Sequence, residues 1–97
     1  MFGTIARLRI KPGMDARMLE LSHEYDTLDI PGFRGDLVYQ SDDDPRVWYM
    51  VVVFESREAY VANAEDPAQA ARYARFRELL DADPEWNDGA IVYNTLV

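Results

Sequence analysis

The chain carries six tyrosines, four phenylalanines and two tryptophans, but one histidine, one lysine and no cysteine. Without cysteine there is no thiol nucleophile, thiolate metal site or disulfide. His23 lacks a second histidine four residues on, so the zinc-helix spacing is missing. On a helical wheel it lies opposite the apolar stripe and reads as a solvent-side or interface residue. Asp42, Asp43 and Asp44 are consecutive acids in a turn, a pattern that blunts a hairpin end better than it converges on a cation. Gly3, Gly13, Gly32, Gly35 and Gly89 are dispersed without a nucleotide-loop spacing. Ser22, Ser41 and Ser56 have no histidine or lysine placed to activate them. No metal or cofactor site is expected.

Aromatic chemistry remains. Tyrosines bring hydroxyls that need partners when buried, and phenylalanine alone would serve a plain core. A cavity lined by Tyr25, Tyr39, Tyr73 and Phe76, with Trp48 or Trp86, would take a flat, mostly apolar ligand with a few polar substituents. Asn63 could supply an orienting amide. Arg72 lies about 60° around the helix from Gln69 and could flank the apolar stripe to meet an anionic group. The competing reading of these aromatics is ordinary core packing, and that of Asn63 is a helix-break residue.

Composition narrows the partners. The formal net charge is −8, so phosphate backbones and anionic membranes would repel the chain, and neither nucleic acid nor membrane is an expected partner. With 48% hydrophobic and 12% aromatic residues the sequence folds. The longest apolar run, Val47 to Phe54, is too short to span a bilayer. No signal-peptide pattern is visible at the start, and the cytoplasm is the expected compartment. The length fits one domain over residues 1–97.

The elements that must position these side chains follow from periodicity. Residues 2–11 alternate, with Phe2, Thr4, Ala6, Leu8 and Ile10 on one face, and Pro12-Gly13 stops them. Met14, Met18, Leu21, Tyr25 and Leu28 fall within about 40° of one line, so a helix is expected over about 14–27. Residues 33–40 read as a strand with Phe33, Leu37 and Tyr39 sharing a face. The acidic turn 41–45 joins it to a strand over 46–54 that is apolar on both faces and belongs mid-sheet. Ser56 caps a helix over about 57–64. Asp66 then caps a second, with Pro67 at its first position and Gln69 completing a capping box. Tyr73, Phe76 and Leu80 form the stripe of that helix, which Asp83-Pro84 ends. A last strand is expected over 90–96. The order β-α-β-β-α-β, with a broken second helix, is an α+β ferredoxin-like arrangement. Helices would cover one sheet face, and the apolar other face predicts a homodimer by sheet-to-sheet packing.

The stretch Trp48-Tyr49-Met50-Val51-Val52-Val53-Phe54-Glu55, then Ser56-Arg57-Glu58-Ala59-Tyr60, a broken helix and a closing strand resembles the antibiotic biosynthesis monooxygenase family. The resemblance spans nearly the whole chain. The segment from Arg77-Glu78-Leu79-Leu80 through Pro84-Glu85-Trp86-Asn87-Asp88-Gly89 resembles one branch of that family. It implies a ferredoxin-like protomer in a dimeric α/β barrel. It also implies activities ranging from cofactor-free oxidation of aromatic phenols by oxygen, through quinol oxidation, to haem degradation. Where many members have a histidine, this chain has Asn63, and Ala68, Gln69 and Ala70 stand where another is common; the axial histidine of haem degradation is therefore missing. The phenol-oxidising members use an asparagine and a tryptophan, for which Asn63 and Trp48 or Trp86 could stand. On that likeness Asn63 and a tryptophan orient substrate and oxygen, Tyr73 or Tyr39 takes the phenolic proton, and Arg72 stabilises the anion. The rival reading is a non-catalytic dimeric module binding an aromatic metabolite or serving as a structural subunit.

Overall fold

A computed structural model describes residues 1–96. Strand β1 (Phe2–Arg9) leads to helix α1 (Asp15–Glu24), which tightens into a 3-10 turn over Tyr25–Thr27. The hairpin β2 (Phe33–Gln40) and β3 (Val47–Phe54) follows, then α2 (Arg57–Ala64), α3 (Pro67–Arg77) and β4 (Glu85–Ala90). The sheet is antiparallel and open, in the order β2-β3-β1-β4. That is the ferredoxin-like β-α-β-β-α-β topology with the second helix in two pieces.

The break between α2 and α3 is written in their caps. The Ser56 hydroxyl accepts from the Ala59 N–H at 3.1 Å, and the Asp66 carboxylate accepts from the Ala68 N–H at 2.9 Å. Each satisfies an amide that the helix itself leaves unpaired. Pro67 opens α3, where its missing N–H costs nothing. Gln69 does not complete a capping box; its side chain is engaged elsewhere, as described below.

The alternation in β1 sorts the sheet into two faces. Thr4, Ala6, Leu8 and Ile10 are buried beneath the helices, whereas Ile5 is half-exposed on the other side. Trp48, Met18, Leu21, Leu79 and Leu80 close over Ala6, Leu8 and Ile10 to make the core. At the opposite end of the helix-facing side, Phe54 meets Phe33 edge-on at 5.6 Å and Tyr60 at 5.6 Å, and Tyr60 touches Phe2 at 5.3 Å. Two packed ends thus flank a middle zone. The outer face presents Ile5, Leu37 and Tyr39, with Tyr39 stacked on Tyr49 at 5.3 Å between ring centres.

Three expectations need correction. Phe33 does not share a face with Leu37 and Tyr39. The β2–β3 register slips between Phe33 and Gly35, making a bulge at Arg34 that swings Phe33 to the helix side; Gly35 accommodates it at φ +144°, outside ordinary L-residue space. Helix α3 ends at Arg77, short of Asp83-Pro84, because Leu79 and Leu80 leave the helix to enter the core. There the Lys11 N–H donates to the Leu79 carbonyl at 2.9 Å and the Asp81 N–H to the Arg9 carbonyl at 2.9 Å. Finally, the last strand is Glu85–Ala90, not 90–96. Residues 91–96 have the better strand composition but form no regular element. The polar stretch before them wins because it is the one that reaches the free edge of β1, from Arg7↔Glu85 to Phe2↔Ala90. Backbone pairing to an available edge outweighs side-chain propensity.

Candidate functional site

Cross-strand register fixes what lies beneath the helices in the middle zone. One row runs Asp36, Val52, Thr4, Asp88 across the four strands, and the next runs Val38, Met50, Ala6, Trp86. Leu21 and Tyr25 descend from α1 and the turn after it, Tyr60 and Asn63 from α2, and Gln69, Arg72, Tyr73 and Phe76 from α3. Together they enclose a cleft of about 550 Å³, the size of a small-molecule site. The break at Asp66 divides this lining between two separately capped helices, α2 and α3.

Of the residues singled out in the sequence, Asn63, Arg72, Tyr73, Tyr25, Phe76 and Trp86 line the cleft. Tyr73 packs 6.2 Å from both Phe76 and Trp86, forming an aromatic wall. Asn63 gives its backbone carbonyl to the Asp66 N–H at 3.1 Å. Asn63 and Arg72 also border a second cavity of about 340 Å³ behind α2. The Arg72 guanidinium sits 5.6 Å from the centre of the Tyr25 ring, a cation–π contact, and its Nε donates to Gln69 Oε1 at 3.0 Å.

Tyr39 and Trp48 are corrected. Tyr39 is opposite Tyr49 on the outer face, half-exposed, with the whole sheet between it and the cleft. Trp48 is on the helix side but at its packed end; it is 6% exposed, and its indole N–H donates to the Pro45 carbonyl at 3.2 Å. Its side chain is therefore spent on the core and the hairpin turn.

Four cleft residues escaped the sequence reading. Gln69 was read as a cap, but its amide donates to Tyr25 Oη at 3.2 Å, so Tyr25, Gln69 and Arg72 form one polar cluster. Tyr60 donates its hydroxyl to Asp88 at 2.9 Å. Burial, then the neighbouring Asp88 carboxylate, pushes the Tyr60 phenol up to about 12, against a small opposing effect of Thr4. Asp36 faces the cleft from the edge strand. Burial against the cleft wall pushes its carboxyl above the ordinary value, and Asp26 adds to the effect. Asp88 was hidden by the misplaced last strand, whereas Asp36 was legible: it alternates with Leu37 and lies on the Val38 side. Among the described residues no three His, Asp or Glu side chains gather as a metal site, and no helix is long and apolar enough to cross a membrane.

A ferredoxin-like sheet covered on one face, with an aromatic cleft held under a broken helix, defines a small α+β protein with a cleft beneath its helices. The family profile of the antibiotic biosynthesis monooxygenases matches residues 1–75, from β1 to near the end of α3, and the chain belongs to that family. No curated protein matches it. Solved structures share the fold at low identity. A protein from Chloroflexus aurantiacus is 24% identical, with 97% of this chain and 95% of that one covered and a TM-score of 0.78. Rv0793 from Mycobacterium tuberculosis is 21% identical, with 98% of each covered and a TM-score of 0.77. SnoaB, a cofactor-independent oxygenase from Streptomyces nogalater, is 12% identical, with 96% and 94% covered and a TM-score of 0.80.

Proposed function

We propose that the protein is a cofactor-independent monooxygenase that oxidises a small aromatic of the phenol or quinol type in the cleft beneath α2 and α3. The observation that carries this reading is the meeting of Asn63, Arg72, Tyr73 and Trp86 around one cleft of about 550 Å³ in a chain of this family. Membership in the same fold as a cofactor-independent oxygenase adds support. Such a reaction draws its electrons from the substrate. The phenol loses two hydrogens, gains one oxygen atom as a carbonyl and releases the other as water. The protein then has to orient the reactants and stabilise charge. Trp86 stacks against the ring, the Asn63 amide orients it, the Tyr73 hydroxyl accepts and relays the phenolic proton, and the Arg72 guanidinium faces the oxyanion that forms on deprotonation. Residues 1–97 act as one domain, with the cytoplasm as its compartment.

The active form is a homodimer joined through the outer sheet face, closing an α/β barrel. Supporting it is the row of half-exposed Ile5, Leu37 and Tyr39 on a sheet whose other face the helices cover. Sedimentation showing an 11.2 kDa monomer at micromolar concentration would refute this part. The catalytic reading is tested by oxygen uptake and product formation with naphthols, anthrones and quinols, comparing the wild type with Asn63→Ala and Tyr73→Phe. Turnover by the wild type that drops in both variants is expected. Tight binding of one compound without turnover across the panel would make the protein a binding module instead.

A further inference from the structure

Three acidic side chains line the cleft: Glu24, Asp36 and Asp88. Glu24 is held by Arg75, whose Nη2 donates to it at 2.9 Å. Asp88 accepts from the Tyr60 hydroxyl. Asp36 differs. Among the described residues no cation or donor is set against it, and the only charged neighbour that influences it, Asp26, is itself acidic. The cations lining the cleft are committed elsewhere, Arg75 to Glu24 and Arg72 to Gln69 and the Tyr25 ring.

The position of Asp36 is built by the strand. It pairs with Val52 and shares the helix-facing side with Val38, so its carboxylate borders an apolar floor of Val52 and Met50. Asp36 is exposed at the mouth of the cleft, the wall beside it removes only part of its hydration, and a ligand that donates a hydrogen bond to it replaces water there with a fixed partner. From Asp36 the same row continues through Val52 and Thr4 to Asp88, a span of about 14 Å across three strand spacings. The polar cluster Tyr25–Gln69–Arg72 comes down from the helices. The cleft is therefore asymmetric, with an unpaired acceptor on its β2 wall and donors on its helical wall.

We infer that Asp36 is a specificity-determining residue of the cleft, which accepts a hydrogen bond from a hydroxyl of the aromatic ligand and so selects a hydroxyarene over the same ring without a donor. This deepens the proposed function and rests on its reading of the cleft as an aromatic site. A ring hydroxyl that keeps its proton is held on the β2 wall, while the oxygen that ionises, elsewhere on the ring, meets the Arg72 guanidinium.

The test uses calorimetry on the full chain with 1-naphthol and its O-methyl ether, 1-methoxynaphthalene, which keeps the ring and the oxygen but has no donor. The wild type is expected to prefer naphthol by about tenfold, the worth of one hydrogen bond to a charged acceptor at a partly open site. Asp36→Ala should bring the two compounds to within about twofold of each other, and Asp36→Asn, a neutral acceptor, should fall between. Thermal midpoints near that of the wild type show that both variants fold. Binding of both compounds by the wild type without preference overturns the inference alone and leaves the aromatic cleft standing. Preference surviving in Asp36→Ala, or equal loss of both compounds in a folded Asp36→Ala, also overturns it, because Asp36 would then not read the hydroxyl. Binding of neither compound by the wild type overturns the inference and the aromatic reading together.

Discussion

Replacing Tyr60 with phenylalanine isolates one hydroxyl at the edge of the cleft. The ring should stay, held by Phe2 at 5.3 Å and Phe54 at 5.6 Å, so what disappears is the 2.9 Å bond to Asp88. A bond to a carboxylate is worth about 1.5–3 kcal/mol, but solvent reaches this pair, and about 1 kcal/mol is the figure expected at pH 7. The same hydroxyl has a signature in alkali, set first by its burial and then by Asp88. In the folded protein the phenol is pushed from 10.0 up to about 12. Below pH 10 both folded and unfolded chains keep the proton and the bond contributes in full. Between 10 and 12 the unfolded chain releases a proton that the folded one retains, so unfolding is favoured and stability falls as pH rises. The full gap would be worth at most about 2.7 kcal/mol, reduced to about 1 kcal/mol by solvent screening. Urea denaturation of the wild type and Tyr60→Phe at pH 7, 10 and 11.5 would measure both effects. The two stability curves should lie about 1 kcal/mol apart at pH 7 and converge in alkali, since the variant has no phenol at this position to titrate. Parallel curves from pH 7 to 11.5, or no separation at pH 7, would refute the argument that burial and the bond to Asp88 together hold the proton on this phenol.

Other perturbations test the frame around the cleft. Leu8 is 1% exposed at the packed end of the sheet, and Leu8→Ala should cost about 3–5 kcal/mol in chemical denaturation; a loss under about 1 kcal/mol would place the core elsewhere. A Cβ at Gly3 would run into the Val52 carbonyl on the neighbouring strand, so Gly3→Ala should destabilise by about 2 kcal/mol or more, read as a drop in thermal midpoint. Ser56→Ala removes the cap on α2 and should cost about 1 kcal/mol, with Ser56→Asp restoring most of it. By contrast Arg75→Ala, which breaks a half-exposed pair with Glu24 at the cleft rim, should change stability by less than about 1 kcal/mol; a larger loss would mean that the pair braces α1 against α3.

How far the sequence carried depended on whether a feature was local. The alternation of β1, the two-sided apolarity of β3 and the caps at Ser56 and Asp66 are properties of consecutive residues, and the structure repeats them. Tyr39 needed parity combined with register. Because of the bulge at Arg34, parity alone put Phe33 and Tyr39 together, although only Phe33 faces the helices. For Trp48 even the correct face was insufficient, since one end of that face is filled by Leu79 and Leu80 and the neighbouring zone is not. Which end fills depends on where α3 stops, a tertiary outcome. The last strand failed for a related reason: Val92 and Tyr93 look like strand residues yet are 93% and 80% exposed, while Trp86-Asn87-Asp88 occupies the β1 edge. The observed strand also carries Asp88 into the cleft, in the row next to Trp86, which the sequence already offered as a lining residue.

The polar content of the cleft follows from the same geometry. A tyrosine hydroxyl in an apolar space needs a partner, and here two of the cleft tyrosines have theirs supplied by the protein, Tyr25 by Gln69 and Tyr60 by Asp88. Both partners come from elements other than the tyrosine's own, so each bond also ties two elements together across the space: the turn after α1 to α3, and α2 to β4. A cleft kept open by such cross-links is organised before any ligand arrives, which lowers the ordering cost of binding. Apolar packing at either end of the sheet cannot do this, because apolar side chains gain by closing the gap. The hydroxyls that suggested an aromatic ligand in the sequence thus act first as struts, and Asp36, against which none of the described residues sets a donor, stands as the unpaired acceptor on which the inferred reading of a ligand hydroxyl rests.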